Sequence, residues 1–267
     1  MIKTYGILLN YEQETAFLDK KKLSNTLEQI WKSKTSPNSK PILPIVFFTC
    51  LTASGKGEKL NEDFFSTLFF HCSGDKRSSK YKRVLSLVKD LTDCQEFQPR
   101  VFPILADTEP RRTWGWNVSQ SDITFLCRRM TKKAAMALPP EWVVTLWSEI
   151  EERLDNGWGS YLALPAKNSA SNYLRELEEA YRPGKHRLLI EQERKYFTQQ
   201  KEYNFAFDPN GLAIRRVAAY AHEAKLLCCY FGPAILLQDD FPVKQKDKLY
   251  RPELGEYSPT IIHPFTH

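Results

Sequence analysis

The chain has 267 residues, 42% of them apolar and 13% aromatic, with 38 Lys+Arg against 32 Asp+Glu for a net charge of +6. That composition buries a core and excludes a disordered chain, and the length suits one large domain or two small ones. The longest apolar run, Ile42 to Leu51, is interrupted by Pro44 and falls far short of the ~20 residues of a membrane helix, while Met1 to Gly6 open no secretion signal. The chain therefore reads as a soluble, cytoplasmic protein with no membrane partner.

Residues 1–40 are polar and close in the Ser/Pro/Lys-rich stretch Lys32 to Pro41, which reads as a surface linker and makes this segment peripheral. Pro41–Cys50 is short, β-branched and aromatic, the pattern of a buried strand. Thr52 to Glu58 form a Gly-rich loop. A phosphate-binding P-loop needs Gly-Lys followed by Ser or Thr and a second Gly five residues earlier; neither stands here, so a flexible loop is expected. Phe64–Cys72 is a dense strand candidate that runs into Ser73-Gly74-Asp75-Lys76. Ser78 to Leu91 then places Tyr81, Val84, Leu85, Val88 and Leu91 at helical spacing, and Arg100–Ala106 is a second buried strand ending at Asp107. Strand, turn, helix and strand make a βαβ unit and hence a parallel sheet, whose ligands gather at the carboxyl ends of the strands. Ser73 and Asp107 stand at two such ends.

Ser121 to Leu138 reads as a helix, with Ser121 as its cap and Ile123, Leu126, Met130 and Ala134 on its apolar side. After Pro139-Pro140, Trp142–Leu154 is expected to be amphipathic helix, followed by helices over Ser171–Tyr181 and Leu188–Gln200. Gly211–Phe231 is a strongly apolar helix carrying Tyr220, His222 and Glu223. Ala234–Gln238 and Thr260–His263 complete the strands around a long loop from Asp239 to Ser258. The whole is expected to be a single α/β domain over 1–267, a Rossmann-like parallel sheet flanked by helices.

The charge is unevenly placed. Residues 73–133 hold 13 Lys+Arg and 7 Asp+Glu, whereas the remainder holds 25 of each. Arg128, Arg129, Lys132 and Lys133 fall at i, i+1, i+4 and i+5, so they share one helix face with no carboxylate among them, a pattern that favours phosphate over ordinary solvated surface. The six cysteines contain no CxxC pair and no zinc-finger spacing, so no metal is expected, and Cys228–Cys229 read as small core residues. A carboxylate at Glu223 either pairs with Arg216 or Lys225 at the surface or works inside a site, because an uncompensated carboxylate is costly to bury.

In order, these features resemble the tRNA-dependent cyclodipeptide synthases. His71-Cys72-Ser73-Gly74-Asp75-Lys76-Arg77-Ser78-Ser79 is similar to that family's Gly-Ile-Ser-x-x-Asn-Ser-Tyr-Phe region, and Leu105 to Thr113 to its Gly-Asp-Tyr-Ile-His-Arg type segment. The basic helix lies where the family carries its tRNA-binding helix. Tyr220-Ala221-His222-Glu223 resembles its Tyr-x-x-x-Glu helix, with the tyrosine three residues before the glutamate instead of four, and His263-Pro264 stands where the family has Tyr-Pro or Tyr-His. The resemblance covers residues 64 to 265 and extends to the fungal synthases that make arginine-containing cyclodipeptides.

It implies a fold like the catalytic domain of class I aminoacyl-tRNA synthetases. It also implies a monomer that joins two amino acids delivered by aminoacyl-tRNAs through an aminoacyl-serine on Ser73, with arginine as one substrate. Glu223 would hold the ammonium group, and Tyr220, His222 or His263 would assist proton transfer. Gly74, Asp75 and Asp107 would line the substrate, while Lys76, Arg77, Arg128, Arg129, Lys132 and Lys133 would engage phosphates. No metal, nucleotide or other cofactor is required, because the ester of aminoacyl-tRNA is already activated. The alternatives are an isonitrile synthase-type enzyme acting on a free amino acid, for which the basic helix has no use, and a tRNA-binding module without catalysis, in which Ser73 is merely a helix cap.

Overall fold

The computed structural model describes residues 1–12, 19–33, 36, 39–49, 53–54, 59–60, 75–108, 119–156, 169–184, 186–199, 209–237 and 260–262. Its centre is strand β1 (Ile42–Thr49), a run rich in β-branched and aromatic side chains. Parallel strand β4 (Gln98–Leu105) pairs along its whole length on one side, from Ile42 opposite Gln98 to Thr49 opposite Leu105. On the other side β6 (Ile235–Leu237) pairs only with Ile45 and Val46, so Pro44 lies where that neighbour has not yet begun and removes no donor from a full ladder. Pro99 and Pro103 are tolerated in β4 for a related reason. Val101, of the same parity, directs its N–H and carbonyl to Glu141 and Val143 on the far side from β1.

The edge strands β5 (Thr145–Leu146) and β7 (Thr260–Ile262) complete a five-stranded sheet in the order β5-β4-β1-β6-β7, every pairing parallel. The chain thus builds outward from the middle strand in one direction, returns, and builds outward in the other. This is the Rossmann-type order, whose switch point lies at the carboxyl ends of β1 and β6. In a separate two-stranded sheet, β2 (Ala53–Ser54) and β3 (Lys59–Leu60) pair antiparallel at the Gly-rich loop; residues 52 and 55–58 of that loop lie outside the described residues.

Helices cover both faces. One face receives Leu43, Ile45, Phe47, Val101 and Leu105 from the strands. Against them pack α1 (Ile2–Tyr11), α2 (Lys20–Lys32), α3 (Asp75–Asp93) and α4 (Gln120–Ala137). The opposite face, with Val46, Ile104 and Leu236, receives α5 (Trp147–Asp155), the first residue of α6 (Ala170–Tyr181) and the C-terminal half of α8 (Pro209–Phe231). Each fully buried Leu or Ile in these layers contributes roughly 1.5–3 kcal/mol.

Three sequence expectations require correction. The polar N-terminal segment is not peripheral where it is described: α2 spaces Leu23, Leu27 and Ile30 along one face, Leu8 joins them from α1, and all four are buried in the core. The Thr26 and Thr260 hydroxyls then bond at 2.7 Å, tying α2 to the edge strand β7. The cap of α4 is Ser119, whose Oγ accepts the Asp122 N–H, and not Ser121. The expected helix over Trp142–Leu154 begins only at Trp147, because the β-branched run Val143-Val144-Thr145 enters the sheet as β5 after a bridge from Trp142 to Val101. The strand expected over Phe64–Cys72 lies outside the described residues; the parallel partner of β4 across the crossover helix α3 is β1. The other expected helices stand within three residues of their expected bounds, α3 starting at Asp75 ahead of Ser78 and α7 running Arg187–Gln199.

Candidate functional site

Parallel strands end together on one edge, and each crossover helix starts there before running back. Asp107 marks that edge on β4. It is fully buried, and its carboxylate caps the start of α5: Oδ1 accepts the Ser148 N–H at 2.9 Å and Oδ2 the Ser148 hydroxyl at 2.6 Å. Burial pushes the Asp107 carboxyl above its ordinary range, opposed by the two Ser148 hydrogen bonds and reinforced by the charge of Glu151. The Asp107 carbonyl in turn accepts from the Gln120 side chain at 3.3 Å, which fixes the first turn of α4 at the carboxyl end of β4. A residue expected to line the substrate thus spends both oxygens on the scaffold.

Next to it lies a buried polar chain. The Trp147 indole donates to Glu151 Oε1 at 3.0 Å, and His222 Nδ1 stands 3.9 Å from the same oxygen. His222 Nε2 lies 2.9 Å from the Ala170 carbonyl; a carbonyl only accepts, so this nitrogen carries the proton. The imidazole is 1% exposed and lies between the Trp147 and Tyr173 rings. His222 therefore turns toward α5 and α6.

Tyr220 and Glu223 turn the other way. The 23 residues of α8 extend about 34 Å, whereas the three of β6 rise only about 10 Å. Its C-terminal half packs on the sheet, while Leu212 to Ala221 pack instead against α6 and α7, beyond the carboxyl edge. In that second core Arg216 is 6% exposed, donates from Nε to the Tyr220 hydroxyl at 2.6 Å, and pairs through Nη1 with Glu193 Oε2 at 3.1 Å. The rings of Phe197 and Tyr220 stand 5.5 and 5.8 Å from its guanidinium. Burial pushes the Tyr220 phenol far above its ordinary value; Arg216 opposes this, and the charges of Glu193 and Glu223 add to it. Tyr220 is thus a neutral hydroxyl whose oxygen accepts from Arg216. Glu223 is buried as well. Arg216, one of the partners its sequence position allows, engages Glu193 and the Tyr220 hydroxyl in the buried core and not at the surface.

On α4, Arg128, Arg129, Lys132 and Lys133 are all exposed, and among the described residues Arg128, Lys132 and Lys133 make no ion pair. Asp75, Lys76 and Arg77 form the first turn of α3, which starts on the carboxyl side of the sheet; their side chains, and all of Ser73, Gly74 and His263, lie outside the described residues. Cys127, Cys228 and Cys229 are buried thiols, and burial pushes Cys127 and Cys228 up to about 12. Among the described residues no group of three or more His, Cys, Asp or Glu is placed to hold a metal ion, and no helix is long and apolar enough to cross a membrane.

The structure therefore brings Tyr220 and Glu223 onto one face and separates His222 from them. Sequence reasoning missed Ser148, Glu151 and Glu193, and expected Arg216 at the surface and not in the buried core. The i, i+4 spacing of Arg216 and Tyr220 was a usable signal; Glu193, on another helix, left none.

No protein-family model and no curated protein matches this sequence. Among solved structures, the chain is similar to the tyrosyl-tRNA synthetase of Archaeoglobus fulgidus complexed with L-tyrosine, at 12% identity and TM-score 0.49, over 98% of this chain and 63% of that one. It is similar to the tryptophanyl-tRNA synthetase of Trypanosoma brucei at 13% identity and TM-score 0.43, over 90% and 58%. The chain spans less than two thirds of both synthetases. It is also similar to a cyclodipeptide synthase from Candidatus Glomeribacter gigasporarum bound to Phe-tRNAPhe, at 9% identity and TM-score 0.39, over 90% and 93%. What the chain itself has, by its strand order and helix layers, is an α/β Rossmann-like fold.

Proposed function

We propose that this chain is a tRNA-dependent cyclodipeptide synthase. The observation that carries the reading is the placement of the buried Tyr220 and, three residues on, Glu223 at the middle of α8, where the helix passes from a Rossmann-ordered sheet to the core beyond its carboxyl edge. On that same side α3 begins at Asp75, two residues after Ser73, and α4 begins at Gln120, carrying its row of exposed cations from Arg128 onward. A nucleophile, an ammonium-binding carboxylate, a hydroxyl donor and a phosphate-binding surface are what the reaction needs.

The chemistry runs by ester exchange. Ser73 Oγ attacks the ester carbonyl of the first aminoacyl-tRNA, loses its proton, and the tRNA leaves as its free hydroxyl. The N-terminus of α3 faces the oxyanion that develops. Glu223 orients the ammonium of the seryl-bound residue, which after deprotonation attacks the ester of the second aminoacyl-tRNA and releases that tRNA. The new terminal amine then closes on the Ser73 ester, returning the proton to Oγ and freeing the cyclic dipeptide. The Tyr220 hydroxyl, held by Arg216, assists proton transfer. Arginine as one of the two amino acids belongs to the same reading and rests on the resemblance.

Mass spectrometry of the protein after exposure to charged tRNA tests this directly. An aminoacyl adduct on Ser73 and a cyclic dipeptide in the medium are expected, both absent in Ser73→Ala. Glu223→Gln should lower turnover with the fold intact. Full turnover by Ser73→Ala overturns the reading, and RNA binding without adduct or product assigns a non-catalytic RNA-binding module instead.

A further inference from the structure

The outward face of α4 carries more than charge. Phe125 is 65% exposed and Met136 is 82% exposed, and together with Arg128, Arg129, Lys132 and Lys133 they fall at i, i+3, i+4, i+7, i+8 and i+11, a single stripe. The Arg129 guanidinium stands 5.8 Å from the Phe125 ring centroid. Phe125 is the member of the stripe nearest the carboxyl edge. The first turn of α4 is bonded to Asp107 through Gln120, and Phe125 follows five residues later, about 7.5 Å along the axis.

The geometry points to Phe125 as a stacking platform for an unpaired base of the RNA whose phosphates the row of cations holds. This rests on the proposed RNA-borne substrate and specifies which part of it meets this end of the helix: the single strand that leaves the duplex toward the edge of the sheet. Three observations converge. An aromatic ring held in solvent offers a face that every base can stack on, and a guanidinium beside it adds a cation–π partner. The cations carry no interspersed carboxylate, which suits a polyanion. A membrane surface fits less well, because an interfacial helix needs a continuous apolar face, whereas here two apolar residues bracket four charges.

The test uses an uncharged hairpin RNA with an unpaired 3′ tail, the same hairpin with a blunt end, and anionic phospholipid vesicles. Phe125→Ala is expected to weaken binding of the tailed hairpin roughly 5- to 100-fold, to leave the blunt hairpin unchanged, and to leave the slope of log affinity against log salt unchanged. Phe125→Trp retains the affinity. Phe125→Leu, which keeps an apolar side chain on the same exposed position, loses it as Ala does. Lys132→Gln with Lys133→Gln weakens both hairpins and reduces the salt slope by roughly 1.5. An equal effect of Phe125→Ala on both hairpins, or no effect on either, overturns the assignment. Loss of vesicle binding with RNA binding intact overturns it in favour of a membrane surface. Because the hairpins carry no amino acid, these outcomes are independent of acylation at Ser73, and the two readings can fail separately.

Discussion

Removing the guanidinium at position 216 should expose how the second core is held together. Arg216 is 6% exposed, donates to Tyr220 at 2.6 Å and pairs with Glu193 at 3.1 Å, so Arg216→Met leaves a carboxylate and a phenol oxygen without their cation in an apolar setting. The methionine keeps most of the packing between Phe197 and Tyr220, which isolates the electrostatic part. A charge-assisted hydrogen bond accounts for about 1.5–3 kcal/mol, and stranding one member of a buried ion pair brings the total loss to about 3–5 kcal/mol. Urea unfolding followed by far-ultraviolet circular dichroism measures this, and the thermal midpoint should fall by roughly 6–20 °C. The decisive comparison is with Arg216→Met combined with Glu193→Gln. Neutralising the stranded carboxylate should recover about 2 kcal/mol, so the double variant is more stable than the single one. A loss below about 1 kcal/mol in Arg216→Met, or a double variant no more stable than the single, refutes the reasoning.

Asp107→Asn should cost about 1–2 kcal/mol, since an amide cannot accept both the N–H and the hydroxyl of Ser148 as the carboxylate does. Because burial raises the folded carboxyl, wild-type stability should decline as pH rises from the ordinary carboxylate range through the folded value, and Asp107→Asn should flatten that decline in urea midpoints taken across pH. Glu96 has the opposite sign: burial works against its charge, yet the Met1 ammonium and the Thr4 N–H hold it down at about 2. Its contribution is full above the ordinary value of 4.5 and lost as pH falls toward 2, and Glu96→Gln should remove about 1–2 kcal/mol at neutral pH and erase that acid-side slope. Peptide mapping after iodoacetamide treatment at neutral pH should find Cys127 and Cys228 unmodified until the protein unfolds, because burial holds both thiols at about 12. Ser119→Ala should cost about 1 kcal/mol through the lost α4 cap, and Ser121→Ala much less.

Periodicity in the sequence located the elements whose apolar residues all face one way. Val84, Val88 and Leu91 mark α3, and the apolar run from Ile42, broken only by Pro44 before Thr49, marks the strand buried on both faces. It failed where lysines dilute a stripe, as in α2, where three consecutive lysines precede Leu23. It failed again at Val143-Val144-Thr145, where a helical period overlaps a β-branched run and only pairing with β4 decides. The candidate site was legible along single helices and illegible between them. Tyr220, His222 and Glu223 stand within four residues, yet a helix turns about 100° per residue, so His222 serves the α5–α6 side while Tyr220 meets Arg216, which pairs with Glu193 of α7. The Asp107–Ser148 cap joins residues 41 apart, and no local pattern announces it.

The central position of β1 has a consequence for how the molecule comes into being. Its Ile45 and Val46 pair with Ile235 and Leu236, so the strand acquires its second neighbour only after nearly 190 further residues have been made. Until then the β1–β4 pair presents one open ladder edge and one apolar face that only α5 and the start of α6 cover. Closing the loop between residues 46 and 235 is entropically expensive and slow, which makes the order of synthesis a period of exposure to strand addition by other chains. A nascent chain stalled before α8 should therefore be captured by chaperones or aggregate, and release of the remaining residues should end that vulnerability in a single step.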